Sequence, residues 1–306
     1  MKIIHDTKEF HIKEPTAVAI GKFDGIHLGH AELLKHIINA KERGLLSCVF
    51  TFDPSAAIFF GGSDVKEITT LKERRLVFEN MGIDILVEFP LDNDTASIEP
   101  VDFLKSVLKD KLNAKFIAAG SDLSFGHKGR GDALLLSDMA NELDYAVKII
   151  PKILYEDREI SSTYLREEIA GGNMDKVIKL LGHPYSFIGT VKTGFQVGRK
   201  LGFPTMNLYP EESKLLPPMG VYYSNVIYEG ADYPGLTNIG VRPTVSEDNH
   251  VSVETYLYDF DMDMYGKDIT VEILSFKRGE VKFSSIYELK EQLKRDLEDG
   301  RKFHDI

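Results

Sequence analysis

The feature that most constrains this chain is a change of rhythm near residue 183. Ahead of it, short apolar runs alternate with amphipathic stretches. Residues 16–20, 46–52, 85–89, 116–119 and 146–150 read as strands. Between them, residues 31–43 place Leu33, Leu34, Ile37 and Ile38 at helical spacing before Gly44, and 101–112 and 134–143 read as further helices. Such alternation predicts a parallel sheet covered on both faces. Ser161-Ser162-Thr163 opens another helix, Gly171-Gly172 closes it, and 173–181 forms one more, ending at Gly182-His183-Pro184. Beyond that point, 187–192, 221–228, 251–259 and 268–276 read as strands separated by Gly, Pro and Asn turns, and 285–298 as a final amphipathic helix. Strands without intervening helices predict an antiparallel barrel or sandwich. The 306 residues therefore divide into two expected domains, 1–182 and 183–306, each long enough to bury its own core.

Composition narrows the function classes. The formal net charge of −11 repels phosphate backbones, so no nucleic-acid partner is expected. Small anions remain open to it, since helix-start amides and Mg2+ bind them locally. No run approaches the roughly 18 apolar residues of a membrane span, so no membrane partner is expected. The opening residues lack the apolar stretch of a signal peptide. A single cysteine, Cys48, rules out an intramolecular disulfide and a cysteine-cluster metal site. A cytoplasmic location is the resulting expectation.

Two segments carry chemistry. The first, Gly21-Lys22-Phe23-Asp24-Gly25-Ile26-His27-Leu28-Gly29-His30, lies between a strand and a helix. Free amides and the positive helix end meet there at the carboxyl edge of the sheet. Gly21, Gly25 and Gly29 permit close approach of a nucleotide, and His27 and His30 can donate to phosphate oxygens as charge develops. A glycine-rich turn with two surface histidines would read the same on these residues alone. Downstream, Ser161, Ser162 and Thr163 offer hydroxyls and amides at a helix start, and Arg166 one turn later offers a positive fork for a triphosphate.

The second segment, Gly198-Arg199-Lys200-Leu201-Gly202-Phe203-Pro204-Thr205-Met206-Asn207, lacks the Gly-Lys-Ser/Thr ending of a Walker loop. It offers a basic glycine loop, with Gly198, Arg199 and Gly202, followed by Thr205 and Asn207. Those two share a strand face and are hard oxygen donors suited to Mg2+. In 251–258, alternation puts Ser252, Glu254, Tyr256 and Tyr258 on one face and Val251, Val253, Thr255 and Leu257 on the other. A glutamate on a polar strand face is most often simply solvated.

These segments resemble a known family. Residues 21–30 are similar to the Gly-x-Phe-Asp-Gly-x-His-x-Gly-His form of the nucleotidyltransferase signature in bacterial bifunctional riboflavin kinase/FMN adenylyltransferases. Thr51-Phe52-Asp53-Pro54, Gly120-Ser121-Asp122-Leu123-Ser124-Phe125-Gly126 and Ile160-Ser161-Ser162-Thr163-Tyr164-Leu165-Arg166 resemble further segments of the same domain. Gly202-Phe203-Pro204-Thr205-Met206-Asn207, Pro218-Met219-Gly220-Val221-Tyr222, Asn238-Ile239-Gly240-Val241-Arg242-Pro243-Thr244 and Val253-Glu254-Thr255 resemble the riboflavin kinase domain. The resemblance implies a Rossmann-like α/β nucleotidyltransferase domain followed by a riboflavin kinase-like antiparallel β-barrel with a terminal helix. It implies ATP as co-substrate, riboflavin, FMN and FAD as substrates and products, and Mg2+ at Thr205 and Asn207. It further implies Glu254 as general base, and Phe23, Asp24, Asp53, Asp122 and Arg242 among the residues lining the sites. Three departures stand out: Ser55-Ala56 where the family has His-Pro, Leu123 for Phe, and Met206 for Ala. The first two leave open a kinase with a weak or inactive adenylyltransferase, and a non-enzymatic flavin-binding regulator on the same scaffold is a second alternative.

Overall fold

The computed structural model describes residues 1–61, 65–193, 202–242 and 250–306, with residues 242 and 250 by backbone alone. Its contacts divide the chain into Met1–Ser162 and Thr163–Ile306.

In the first unit, six parallel strands form one sheet: β1 (Lys2–His5), β2 (Thr16–Ile20), β3 (Leu46–Asp53), β4 (Ile85–Pro90), β5 (Ala114–Gly120) and β8 (Ala146–Ile150). Two-residue strands β6 (Ser124–Phe125) and β7 (Gly131–Asp132) form a small hairpin, as do β9 (Leu154–Tyr155) and β10 (Arg158–Glu159). The sheet order is β1-β4-β3-β2-β5-β8. β2 is flanked by β3 on one side and β5 on the other: the chain runs outward through β3 and β4, then crosses back to place β5 on the opposite side of β2. That is the switch point at which open α/β sheets hold ligands, beyond the carboxyl ends of the strands. Alternation along β2 explains the two cores. Val18 and Ile20 join Cys48, Phe50, Val87 and Phe89 on one face. Ala17 and Ala19 join Val49, Leu86, Leu34, Ile37 and Phe78 on the other.

The expected parallel sheet is present, with differences in its coverings. Helix α1 (Leu28–Asn39) starts three residues ahead of the expected 31–43 and passes into a 3-10 turn, Ala40–Arg43, that stops at Gly44 with φ 77°. The segment expected at 101–112 is wound as a π-helix over Phe103–Lys111. The helix expected at 134–143 is two pieces, Ala133–Asp138 and Ala140–Leu143. Helices α2 (Ala56–Gly61) and α3 (Leu71–Asn80) and strand β1 were not expected.

The second unit contains the helix Met174–Leu181, which packs on β16 (Asp268–Gly279) and β11 (Tyr185–Thr190). Its sheet is antiparallel in the order β11-β16-β13-β14-β15-β12, with β12 (Met206–Leu208), β13 (Gly220–Tyr228), β14 (Ala231–Arg242) and β15 (His250–Leu257). Lys192, just past β11, bridges Asn207 of β12, its amide donating to the Asn207 carbonyl at 2.9 Å. The two edges thus touch at this bridge, and the sheet curls into a half-barrel. Phe187, Tyr222, Val226, Ile239, Val253, Val271 and Ile273 are buried in it. Among these apolar groups runs a chain of buried hydroxyls. Ser224 and Thr237 lie 2.7 Å apart and Thr237 and Thr255 2.8 Å, one from each of β13, β14 and β15. The terminal helix Ile286–His304 is longer than expected and opens on Ser285, whose hydroxyl accepts from the Glu288 amide. It docks through buried Asp296, which takes two bonds from Arg278 Nε at 3.0 and 3.1 Å. Gly300 is required where it stands, because a Cβ there would overlap the Tyr258 hydroxyl.

Candidate active sites

The α/β site is a strained turn. Between β2 and α1 the backbone passes through positive φ at Phe23 (50°), Gly25 (89°) and Ile26 (32°), a conformation side-chain-bearing residues adopt only when their surroundings enforce it. Phe23 is fully buried, its ring 5.1 Å from His30 and 5.6 Å from Phe78. It is packing behind the turn. Asp24 is a clamp: its Oδ1 accepts from the amides of Ile68 at 2.8 Å and Thr69 at 3.2 Å, and its carbonyl accepts from the Ser162 hydroxyl at 2.8 Å. The Gly25 amide donates to Thr69 Oγ1 at 3.0 Å. Held this way, the turn delivers His27 as the residue capping α1 and His30 one turn in.

The two imidazoles stack, with centroids 3.9 Å apart and planes 18° from parallel. A Cβ at Gly29 would sit 3.1 Å from the His27 ring, so the glycine gives the stack its room. Both Nδ1 atoms are buried without a hydrogen-bond partner. Burial pulls the His27 pKa down to about 4, against a smaller opposing effect of Asp122. Burial, and then His27 itself, pushes His30 well below its ordinary value. Near neutrality the pair is uncharged, each ring with one N–H to give. Asp53 ends β3 with its carboxyl pKa raised, first by burial and then by Glu88 on the neighbouring strand. Asp122, past β5, is exposed and ion-paired to Lys152 at 3.4 Å. Of the two departures in this unit, Ser55 is buried and its hydroxyl accepts the Ile58 amide at 3.4 Å, at the start of α2. Leu123 packs against the core. Ser161 is half-buried, Thr163 is exposed, and Arg166 lies one turn into the helix Ser162–Ala170.

The barrel site is a row across three strands. Register places Glu254 of β15 opposite Asn207 of β12 and opposite Asn238 of β14. Thr255, beside it, is buried, so alternation turns Glu254 to the other face. Its Oε1 accepts from the Ser252 hydroxyl at 3.1 Å. Asn207 is 3% exposed and its Oδ1 is buried without a partner. An orphaned amide oxygen is costly unless something completes it, and a hard oxygen beside a carboxylate suits Mg2+. Thr205 is half-buried two residues away, and Gly202 is exposed at φ 89° with open space around it. Gly198 and Arg199 lie outside the described residues, and Arg242 is placed by its backbone pairing to His250 alone.

A FAD synthetase family model matches residues 9–164 and a riboflavin kinase model residues 181–304. The chain belongs to the bifunctional riboflavin kinase/FMN adenylyltransferase family. A relative of that name from Listeria monocytogenes is 33% identical over 291 residues, covering 94% of this chain and 91% of its own. Another from Bacillus subtilis is 34% identical over 316 residues, covering 99% and 98%, and one from Escherichia coli K12 is 34% identical over 294, covering 95% and 93%. A solved structure from Streptococcus pneumoniae, titled a macrolide-efflux protein, superposes with a TM-score of 0.85 at 32% identity over 98% of both chains.

Within this family frame, the residues foreseen from sequence fall into separate groups. The structure brings His27, His30, Gly29 and the Asp24 clamp together with the Ser162 hydroxyl, and Asn207 together with Glu254. Sequence reasoning missed Thr69, which holds Gly25, and quoted Asn238 within a motif without foreseeing that it flanks Glu254. The signal for the first was present: Thr70 with Glu73 is a capping box, the signature of a helix start, and Thr69 directly precedes it.

Proposed function

We infer that this protein builds FAD from riboflavin by two ATP-dependent transfers, riboflavin to FMN and then FMN to FAD with release of pyrophosphate. The carrying observation is that two family models, one for each transfer, fall on two separate stretches, supported by His27 stacked on His30 in one and Asn207 in register with Glu254 in the other. Residues 1–182 are assigned to adenylyl transfer and 183–306 to riboflavin phosphorylation. Both draw on ATP, and the reading places the protein in the cytoplasm. The efflux named in the pneumococcal title is that protein's; this chain's own motifs point to flavins.

In the barrel, Glu254 takes the proton of the riboflavin 5′-hydroxyl, and that oxygen attacks the γ-phosphorus of ATP, breaking its bond to the bridging oxygen and releasing ADP. Ser252, donating to one oxygen of the carboxylate, orients the other toward the hydroxyl. Asn207 and Thr205 would hold Mg2+, which would supply positive charge against the phosphates. The basic glycine loop, Gly198, Arg199 and Gly202, would offset the charge spreading over the phosphoryl group.

In the α/β domain the nucleophile is the FMN phosphate, already an anion, and no base is needed. It attacks the α-phosphorus of ATP. His27 and His30 donate to oxygens that gain charge, the free amides at the start of α1 do the same, and Arg166 adds a fixed positive charge. Neutral imidazoles fit this role, since each keeps one N–H without demanding a counter-ion.

The direct test is to incubate the purified protein with riboflavin, ATP and Mg2+ and to resolve the flavins by chromatography. FMN followed by FAD is expected. FMN alone would leave only the kinase, as Ser55-Ala56 and Leu123 would explain, and flavin binding without ATP consumption would defeat both transfers. Glu254→Ala is expected to slow phosphorylation by roughly two to four orders of magnitude, the usual worth of a general base.

A further inference from the structure

Arg74, on α3, is among the most deeply buried large side chains in the molecule, at 2% exposure. One guanidinium nitrogen, Nη2, pairs with Glu67 at 3.2 Å. The other two, Nε and Nη1, are buried with no acceptor. This is a poor way to stabilise a fold. A buried pair seldom outweighs the desolvation of its charges, and each unmet N–H adds roughly 1–3 kcal/mol. An apolar side chain of similar length would fill the space at lower cost.

The surroundings suggest what the arginine does. Glu67, its partner, begins the segment Glu67-Ile68-Thr69-Thr70. The next two amides hold the Asp24 carboxylate. The Thr69 hydroxyl holds the Gly25 amide. Thr70 caps the helix that carries Arg74, in a capping box with Glu73. The segment is thereby fixed at its far end by the helix and at its near end by Arg74, and between those anchors it grips the turn that presents His27 and His30. Arg74 also lowers the pKa of Asp53, opposing burial and Glu88, which places it close to the carboxyl end of β3. The neighbouring Arg75 is engaged elsewhere, donating Nε to both oxygens of Glu88 at 3.0 and 3.2 Å, so it cannot substitute.

We propose that Arg74 is a positioning residue for adenylyl transfer, acting through Glu67 and the Asp24 clamp to set the histidine turn. The inference rests on the adenylyl-transfer reading above. It differs from a packing role in what it predicts: geometry at the turn should suffer more than the fold does. Misplacement of catalytic groups by about 1 Å can cost roughly 100-fold.

The test uses the full chain and measures FAD formation from FMN, FMN formation from riboflavin and thermal unfolding side by side. Arg74→Met, Arg74→Lys and Glu67→Gln are expected to lower kcat for FAD formation by roughly 10- to 100-fold, with a smaller change in KM for ATP and riboflavin phosphorylation unchanged. Arg74→Met combined with Asp24→Asn should be no worse than the poorer single variant, because both cut one chain of contacts. If Arg74→Met fails to fold, Arg74→Lys and Glu67→Gln carry the same prediction. Unaltered FAD formation in the variants beside an active wild type would overturn this inference alone, as would multiplicative losses in the double variant or losses that follow the melting temperature. A wild-type chain that forms FMN but no FAD would overturn the adenylyl-transfer reading, and this inference with it.

Discussion

At the scale of single residues, the two sites trade stability for chemistry in different ways. Asn207 keeps a buried oxygen without a partner. Replacing it by the similarly shaped leucine removes an unmet acceptor, so Asn207→Leu should leave unfolding free energy within about 1 kcal/mol of wild type. Riboflavin phosphorylation should nevertheless be lost, while supplied FMN is still converted to FAD. Chemical denaturation and a two-substrate assay check the two halves of that statement. His27 makes a pH-dependent contribution. Its folded pKa, about 4, lies below the ordinary 6.5, so from pH 6.5 down to about 4 the unfolded chain binds a proton the folded one refuses. Stability is therefore complete above pH 6.5 and falls as pH drops through that window, by up to roughly 3 kcal/mol from this group. Urea unfolding from pH 7 to 4 should show the slope, and His27→Gln should lessen it, with His30 keeping its own contribution of the same sign.

At the scale of elements, Gly300 offers the sharpest case. Alanine there pushes against the Tyr258 hydroxyl across the interface between helix and barrel. Gly300→Ala should destabilise the second unit by roughly 1–3 kcal/mol, seen as a lowered melting temperature, with the site row on β12, β14 and β15 still in register. Elements also differ in how readable they were. Strands β2, β3 and β4 announce themselves because both faces are buried and every position is apolar or nearly so. Helix α3 does not, because Glu73 and Arg74 occupy buried positions where periodicity demands apolar residues. β14 was missed because Pro234, Gly235 and Gly240 interrupt it, and those residues ordinarily mark turns. The π-winding of Phe103–Lys111 has no sequence signature at this length. The candidate segments, the His turn and the Thr205–Asn207 pair, stand out as motifs, but the groups that hold the turn do not: the Asp24 clamp joins residues more than 40 positions apart, a relation no local spacing encodes.

At the scale of the whole molecule, the two-site reading predicts that FMN made at one site can be taken up at the other after release. His30→Ala is expected to make FMN without FAD, and Glu254→Ala to make FAD from FMN but almost nothing from riboflavin. Mixed in one tube, the two variants should restore FAD formation from riboflavin after a lag while FMN accumulates, followed by chromatography over time. No FAD from the mixture would mean that the two halves must act within one chain. The barrel's interior hydroxyls bear on how such a site survives folding. Ser224, Thr237 and Thr255 interlock like wards in a key, one from each of three adjacent strands. Sliding β15 by one position would pull Thr255 out of that lock and at the same stroke turn Glu254 inward among hydrocarbon. A barrel assembled one notch off is thus penalised twice, and correct strand alignment is what keeps the carboxylate proposed as base on its own face.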